Sequence, residues 1–287
     1  MKDIVLLDGA VGTSLWAKAE AAGIEKAPVW KYNMEHPEIV AQLAREYADA
    51  GAKIILANTF GANRITVQRS SAYAVKDVVR RGVEIAKEAL TGRDVKLALA
   101  IGPLSQFMEP YGDLTEEEVD GIFDEMLSAG IPAGADCVMI QTFMDLGTMC
   151  VAARAAKKYG VPVYCTMSFE KNGRTLMGNR VEDIIDELTE IGVDAVGMNC
   201  SLGPEAAVPI IRDFRAKTAL PLIFKPNAGL PITASDGNTA SVYTPEDFAR
   251  EVEPALPYVD YVGGCCGTDP GFIRVLARHL ADRRADV

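Results

Sequence analysis

Eight short stretches of the chain are almost continuously apolar, and each precedes a segment whose apolar residues recur with helical spacing. Strands that are covered on both faces have such unbroken runs, and strands that alternate with helices form parallel sheets. The stretches are IVLLDGA (4–10), KIILANTF (53–60), KLALAIGP (96–103), CVMIQTF (137–143), VPVYCTMSF (161–169), AVGMNCS (195–201), PLIFKPNA (221–228) and YVGGCC (261–266). Eight such units predict one α/β domain over residues 1–287, a (β/α)8 TIM barrel, with a doubly wound open sheet as the alternative.

Boundary signals accompany the helical segments. Thr115 with Glu118 and Asn179 with Glu182 have the spacing of capping boxes, which mark helix starts. Glycines stand where the helical patterns stop, at Gly51, Gly92, Gly130, Gly160 and Gly192. The segment 228–245 is long and polar for a connection between a strand and a helix, so we predict that it forms a loop over the active face.

Composition narrows the range of partners and locations. The 287 residues are 49% hydrophobic and carry a formal net charge of −11. Nucleic-acid binding needs a basic surface, so no nucleic-acid partner is expected. The N-terminal sequence MKDIVLLDGA has no basic region before its apolar stretch, and no apolar run approaches the length of a membrane span. We therefore expect a cytoplasmic protein that does not enter the membrane.

The six cysteines are too few for a disulfide-stapled fold, which favours metal binding or catalysis for some of them. Cys137, Cys150 and Cys165 lie in apolar or helical surroundings, where a free cysteine usually serves as a small hydrophobic residue. We predict that these three belong to the core.

Polar residues gather at one end of the predicted strands. Active sites of this fold lie at the carboxyl ends of the strands. Six of the runs turn polar there, on Asp8-Gly9-Ala10, Asn58-Thr59, Gln141-Thr142, Asn199-Cys200-Ser201, Lys225-Pro226-Asn227 and Cys265-Cys266. A convergent pocket explains this pattern better than separate capping roles, although capping alone could account for Ser201 or Thr268.

Three of these residues are cysteines from two different strands. If strands six and eight both carry cysteine to the same end, Cys200, Cys265 and Cys266 converge across strand seven. Three thiolates with no fourth protein ligand in view are typical of a catalytic Zn²⁺ site, which keeps one position open. Two other interpretations are a strained disulfide between the adjacent cysteines and a phosphate cradle at Gly263-Gly264, which would leave Cys200 without a role.

The motifs around these cysteines resemble those of a known family. GGCCGT (263–268) together with NCSLGP (199–204) is similar to the paired zinc-binding signature of the homocysteine S-methyltransferase family. Four further segments resemble family segments in the same order, which are LLDGAVGT (6–13), NTFGAN (58–63), MSFEKNGRTLMG (167–178) and KPNAGLP (225–231). The resemblance spans essentially the whole chain, and it extends in particular to the N-terminal homocysteine-binding module of cobalamin-dependent methionine synthase.

The resemblance implies a zinc-dependent methyltransferase. In that family fold, Cys200, Cys265 and Cys266 would hold Zn²⁺, and the thiol of a small-molecule substrate would take the open position. Coordination deprotonates a thiol, and the thiolate is the nucleophile that would accept a methyl group. With homocysteine as the thiol, the product would be methionine.

Substrate contacts are implied in the same way. Asp8 would bind the amino group of an amino-acid thiol, and backbone N–H groups of the Gly9-Ala10-Val11 turn would bind its carboxylate. Asn199 and Asn227 would line the pocket. Gln141 departs from the family pattern, which usually has a glutamate there that helps to hold the substrate ammonium. Because a neutral amide binds an ammonium less strongly than a carboxylate does, both homocysteine and a different thiol remain candidates.

The methyl donor is expected to arrive separately. A methyl-corrinoid on another protein is favoured, and S-methylmethionine, S-adenosylmethionine or a betaine-like amine are the alternatives. Two other functions compete with methyl transfer. One is a non-catalytic barrel in which zinc only links strands six and eight, and the other is a lyase with Lys225 as a Schiff-base lysine. The open metal position argues against the first, and the lack of an evident base beside Lys225 argues against the second.

Overall fold

The structure is a computed structural model that describes residues 3–229, 232–233, 239–240 and 243–285. Its strands are β1 (Val5–Leu6), β2 (Ile54–Leu56), β3 (Lys96–Ile101), β4 (Cys137–Phe143), β5 (Val163–Met167), β6 (Ala195–Asn199), β7 (Leu222–Lys225), β8 (Ile232–Thr233), β9 (Thr239–Ala240) and β10 (Tyr261–Val262). Its α-helices are α1 (Gly12–Ala21), α2 (Tyr32–Glu35), α3 (Pro37–Asp49), α4 (Arg64–Ser70), α5 (Val75–Ala89), α6 (Glu116–Ala133), α7 (Leu146–Lys157), α8 (Val181–Ile191), α9 (Pro204–Lys217), α10 (Pro245–Val252) and α11 (Pro270–Ala285). Short 3₁₀ helices cover Val29–Lys31 and Glu253–Tyr258.

Eight of the strands form one parallel sheet in the order β1-β10-β7-β6-β5-β4-β3-β2. A bridge between Leu7 and Ile54 brings β2 back beside β1, and the Lys53 N–H donates to the Leu6 carbonyl over 2.7 Å. The sheet therefore closes on itself. This closure confirms the predicted (β/α)8 barrel, and each of the eight apolar runs contains one barrel strand.

Two apolar layers hold the barrel together. The larger layer lies between the strands and the surrounding helices. The smaller one fills the inside of the ring and includes Leu56, Ala98, Ala100 and Tyr164. Several of these inner side chains are small, so the inner core leaves space at the carboxyl ends of the strands.

One predicted helix start is confirmed, and another is displaced. The Thr115 hydroxyl accepts from the Glu118 N–H over 3.2 Å, and the Glu118 carboxylate accepts from the Thr115 N–H, which completes the capping box. The prediction for Asn179 was wrong, because α8 begins at Val181 with Arg180 as its N-cap. The Asn179 side chain accepts instead from the Leu146 N–H and the Thr175 hydroxyl, so it is not available as a cap.

Gly130 does not end a helix, contrary to the prediction. Helix α6 continues to Ala133 and ends at Gly134, whose φ is 113°. A Cβ atom on Gly130 would lie 2.5 Å from Leu99 Cδ1. The glycine is therefore needed for close packing of α6 on β3, which the sequence pattern does not distinguish from a helix end.

The segment predicted as a loop over the active face is described only in part. Strands β8 and β9 pair in antiparallel fashion. The prediction for residues 230–231, 234–238 and 241–242 lies outside the described residues. Within the part of the chain that is described, no helix is long and apolar enough to cross a membrane.

Candidate active site

Three cysteines meet at the carboxyl ends of the barrel strands, which we call the mouth. Their sulfur atoms lie within 4.8 Å of one another, and the Sγ atoms of Cys200 and Cys266 are 3.6 Å apart. We refer to Cys200, Cys265 and Cys266 as the cysteine cluster. All three are free, so the adjacent pair forms no disulfide.

Strand β7 brings the two halves of the cluster together. It lies between β6, which precedes Cys200, and β10, which precedes Cys265. The Cys200 N–H donates to the Lys225 carbonyl over 3.0 Å, and the Cys265 N–H donates to the Pro226 carbonyl over 2.8 Å. The predicted convergence of the three cysteines across the seventh barrel strand is therefore present.

The backbone at the mouth adopts unusual conformations. In the described part of the chain, three residues other than glycine have positive φ, namely Thr142 (68°), Cys200 (62°) and Ser201 (53°). Such conformations are uncommon, especially for a β-branched residue like Thr142, and each costs about 1–3 kcal/mol. Strain of this kind collects at functional sites, because surrounding contacts must hold it in place.

Asn199 supplies those contacts at the end of β4. Its Oδ1 accepts from the Thr142 N–H and the Thr166 hydroxyl, both over 2.8 Å. Its Nδ2 donates to Thr142 Oγ1 over 2.7 Å and to Cys265 Sγ over 3.6 Å. The side chain is fully buried. Asn199 therefore fixes the strained Thr142 backbone and orients one sulfur of the cluster.

Hydrogen bonds between the thiols separate their acidities. Contacts with Cys265 and then Cys266 lower the pKa of Cys200, and the Asn227 side chain contributes in the same direction. The same contacts with Cys200 raise the pKa of Cys265 and of Cys266. The cluster thus carries one thiolate readily, while a second negative charge beside it is unfavourable without a cation.

Close packing explains the two glycines before the cysteine pair. A Cβ on Gly263 would lie 2.6 Å from the Asp8 carbonyl oxygen, and one on Gly264 would lie 2.4 Å from Thr268 Oγ1. The Thr268 hydroxyl donates to the Cys265 carbonyl over 2.7 Å and accepts from the Ala10 N–H over 3.2 Å. The glycines therefore let the cysteine turn pack against β1, which weakens the phosphate-cradle interpretation.

A cavity of about 380 Å³ opens beside the cluster. Of the predicted site residues, its lining includes Gly9, Ala10, Val11, Gln141, Cys200, Cys265 and Cys266. The sequence did not identify Asn58, Phe60 or Thr142 as substrate contacts, although all three line the cavity. Lys225 also lines it, and the sequence had suggested it only as a Schiff-base lysine. Aromatic residues in connecting segments carry no spacing signal, whereas Asn58, Thr142 and Lys225 were marked by their positions at strand ends.

Asp8 lies behind the cavity wall. It is fully buried, its Oδ1 accepts from Lys225 Nζ over 2.6 Å, and its Oδ2 accepts from the Leu56 N–H over 2.8 Å. Asn227 is also buried, and its Oδ1 has no hydrogen-bond partner among the described residues. The predicted substrate contacts of Asp8, Asn199 and Asn227 stay predictions, since none of the three lines the cavity.

The donor set of the cluster fits a soft, tetrahedral metal ion. Thiolate sulfur is a preferred ligand of Zn²⁺, and a catalytic site has three protein ligands and one open position. Among the described residues, no histidine, aspartate or glutamate joins the three cysteines as a fourth ligand. The cluster can therefore hold a metal that remains accessible from the cavity.

A sequence model of the family described as homocysteine S-methyltransferase matches residues 5–280. The chain belongs to this family. The methyltransferase class that the sequence predicted is the one for which this family is named. Membership also disfavours the lyase alternative.

Relatives place the chain within the homocysteine S-methyltransferase family. It is 29% identical over 297 residues to a methionine synthase of Mycobacterium leprae (strain TN), in an alignment that covers 97% of this chain and 24% of that protein. It is 28% identical over 309 residues to betaine–homocysteine S-methyltransferase 1 of Xenopus tropicalis, covering 98% of this chain and 74% of the relative. The chain thus spans about a quarter of the length of the methionine synthase.

Solved structures support the fold. The metallated form of the Escherichia coli homocysteine methyltransferase MmuM matches with a TM-score of 0.77 and 23% identity, over 96% of both chains. The oxidised form of the same enzyme matches with a TM-score of 0.79 and 21% identity. At this level of identity the likeness establishes the shared barrel.

Proposed function

We propose that this chain is a zinc-dependent S-methyltransferase that methylates a small-molecule thiol from a separate donor, with methionine as the product when the thiol is homocysteine. The observation that carries the proposal is the cysteine cluster, whose three sulfurs lie within 4.8 Å of one another at the edge of a cavity. Family membership supplies the reaction class.

Cys200, Cys265 and Cys266 are the residues that would hold the metal. A Zn²⁺ ion bound there would supply a Lewis acid that lowers the pKa of an incoming thiol. The chain itself fixes the sulfur positions, through backbone hydrogen bonds to the end of β7 and through the Asn199 amide. Positions that are held by packing and hydrogen bonds make the site ready before the substrate enters.

The turn after β1 is suited to hold the carboxylate of an amino-acid thiol. Gly9, Val11 and Gly12 line the cavity at the N-terminus of α1. The N–H groups of Gly9 and Val11 have no acceptor among the described residues, whereas that of Ala10 donates to Thr268. Free N–H groups and the positive end of the helix dipole both favour an anion at this place.

Apolar walls would shield the reacting sulfur from water. Trp30 is 3% exposed, and it lines the cavity together with Val29 and Phe60. Fewer water molecules around a thiolate leave it less stabilised by solvent and strengthen its interactions with fixed donors. These residues thereby favour attack on a methyl group within the cavity.

We propose a methyl-corrinoid on another protein as the donor, with S-methylmethionine as the alternative. The similarity to methionine synthases supports the first choice. Large hydrophobic side chains on loops that follow β3 and β5 also support a protein partner, since Phe107 is 46%, Tyr111 68% and Leu176 60% exposed. Loops that follow barrel strands lie at the carboxyl ends of the strands, as the mouth does, so a partner bound there would face the cavity.

The experiment combines metal analysis with a panel of donors. The zinc-loaded protein is incubated with homocysteine and, in turn, methylcobalamin, S-methylmethionine, S-adenosylmethionine or glycine betaine, and methionine is quantified. We expect one zinc per chain and methionine from at least one donor, with activity lost on chelation and restored by Zn²⁺. Undiminished activity after the metal has been removed would contradict the mechanism.

A further inference from the structure

Lys225 occupies an unusual position for a lysine. It is 1% exposed at the end of β7 and lines the cavity. Its Nζ donates to Asp8 Oδ1 over 2.6 Å. An ammonium group has three N–H donors, and Nζ has no other acceptor among the described residues. Two of its N–H groups are therefore not engaged by the described residues and can donate to a ligand.

The ion pair presents its lysine, rather than its aspartate, to the cavity. Lys225 belongs to the lining, whereas Asp8 lies behind it and is already engaged by Lys225 and by the Leu56 N–H. The pair carries no net charge as a whole. A ligand in the cavity nevertheless contacts Lys225 and not Asp8, so this wall of the cavity favours an anionic group.

Outside the cysteine cluster, no negative side chain is present in the described lining. It contains no aspartate or glutamate, and Lys225 is its one lysine or arginine. The amides there, Asn58 and Gln141, offer neutral oxygens. A substrate ammonium would therefore lose its hydration without gaining a free carboxylate partner, which is unfavourable.

We propose that Lys225 binds the acidic group of the thiol substrate, and that the site takes thiols with a carboxylate or sulfonate tail whether or not they carry an α-ammonium group. The inference rests on the proposed thiol methylation. Homocysteine would then be held mainly by its carboxylate, which Lys225 and the N–H groups of the turn after β1 would bind together. The peptide carbonyl of Lys225 accepts from the Cys200 N–H over 3.0 Å, so the residue that would bind the acid directly adjoins the cluster that would bind the sulfur.

Three thiols that share the three-carbon chain from the sulfur to the α position test this substrate class. They are homocysteine, 4-mercaptobutanoate, which lacks the amino group, and 3-aminopropane-1-thiol, which lacks the carboxylate. Dissociation constants for the zinc-loaded protein are measured by calorimetry, which needs no methyl donor, and kcat/KM is measured with the best donor. We expect 4-mercaptobutanoate to bind within about tenfold of homocysteine and 3-aminopropane-1-thiol to bind roughly 100-fold more weakly.

A double variant assigns the preference to Lys225. Asp8→Asn with Lys225→Gln removes both charges, so that neither is left buried without its partner. If Lys225 binds the acid, the preference for 4-mercaptobutanoate over 3-aminopropane-1-thiol falls by about 10- to 100-fold. A purely structural role would weaken all three thiols equally and would overturn the assignment.

Failure of this inference is distinguishable from failure of the proposed function. Tighter binding of 3-aminopropane-1-thiol than of 4-mercaptobutanoate would contradict the proposed substrate class, and it would leave the proposal of thiol methylation unaffected. Binding in the expected order with no methylation from any donor would support the recognition by Lys225 and would contradict the methyltransferase mechanism.

Discussion

The same residue type serves different purposes in two regions of this barrel. The core cysteines are Cys137, Cys150 and Cys165, and the cysteine cluster is Cys200, Cys265 and Cys266. Burial raises the pKa of Cys137 to about 12 and of Cys150 to about 11, and it raises that of Cys165 as well. In the cluster, contacts between thiols set the acidities instead. Position relative to the carboxyl ends of the strands thus separates a packing cysteine from a candidate ligand.

The core cysteines and the cysteine cluster also differ in backbone conformation. Cys137 and Cys165 lie within regular strands, and Cys150 lies within α7. Cys200 instead has a positive φ, and Cys265 follows two glycines in a turn. The core cysteines need no special support, whereas the cluster depends on Asn199 and on the end of β7 for its geometry.

Removal of one cysteine from each region should give the largest difference in zinc content and activity. In Cys266→Ala we expect loss of stoichiometric zinc and a fall in kcat/KM well beyond the roughly 10–100-fold that loss of an outer-sphere partner causes. In the matched control Cys150→Ala we expect zinc content and activity to be retained, with the free energy of unfolding reduced by about 1 kcal/mol.

Metal analysis and denaturant unfolding of both variants decide this prediction. Full zinc occupancy and activity in Cys266→Ala would remove that residue from the ligand set. Loss of zinc in Cys150→Ala with the fold intact would show that the division between the two regions is wrong.

The division of the cysteines was predictable from sequence because it depends on local context. Strand runs and their polar ends are short-range features, and closure of a barrel brings such ends together. The Asp8–Lys225 pair was not predictable in the same way, since its members are 217 positions apart and meet through the pairing of β1, β10 and β7. The role of Gly130 was not predictable either. A glycine is needed there for the contact of α6 with β3, and no local sequence pattern reveals that contact.

Thiol alkylation should also separate the two regions. A pKa of about 11 leaves roughly one in a thousand Cys150 side chains ionised at pH 8, and only the thiolate reacts. We expect the first equivalent of iodoacetamide to modify the cluster of the metal-free protein, where the pKa of Cys200 is lowered. The core cysteines should react only after unfolding.

The pH dependence gives this labelling experiment a second readout. Because burial raises the pKa of Cys150, any labelling of that residue in the folded protein should accelerate about tenfold per pH unit up to about pH 11. Peptide mapping by mass spectrometry identifies the modified site. Early modification of Cys137 or Cys150 at pH 7 would mean that burial does not protect the core cysteines.

Asn199→Ala tests the support of the mouth rather than the ligands themselves. The variant loses the hydrogen bonds to Thr142, Thr166 and Cys265. We expect zinc affinity to fall by about 10–100-fold, with some loss of stability because the strained Thr142 is no longer held. Asn172→Ala, in an exposed turn, is the control and should leave zinc affinity unchanged. Equal zinc affinity in both variants would show that the Asn199 amide does not orient Cys265.

The smallest expected effect concerns Gln141, which lies on the same strand as Cys137 but at the mouth. Gln141→Glu places a carboxylate in the cavity lining, where the described residues offer none. A charge-assisted contact to the substrate ammonium should lower the KM for homocysteine by about tenfold, since such bonds are roughly twice as strong as neutral ones. The KM for 4-mercaptobutanoate should rise, because the new charge repels its carboxylate without offering it a contact. The comparable change at the other end of the strand, Cys137→Ser, should alter stability but not the ratio of the two KM values. An unchanged KM for homocysteine in Gln141→Glu would mean that the ammonium is already bound elsewhere, with Asp8 as the first group to examine.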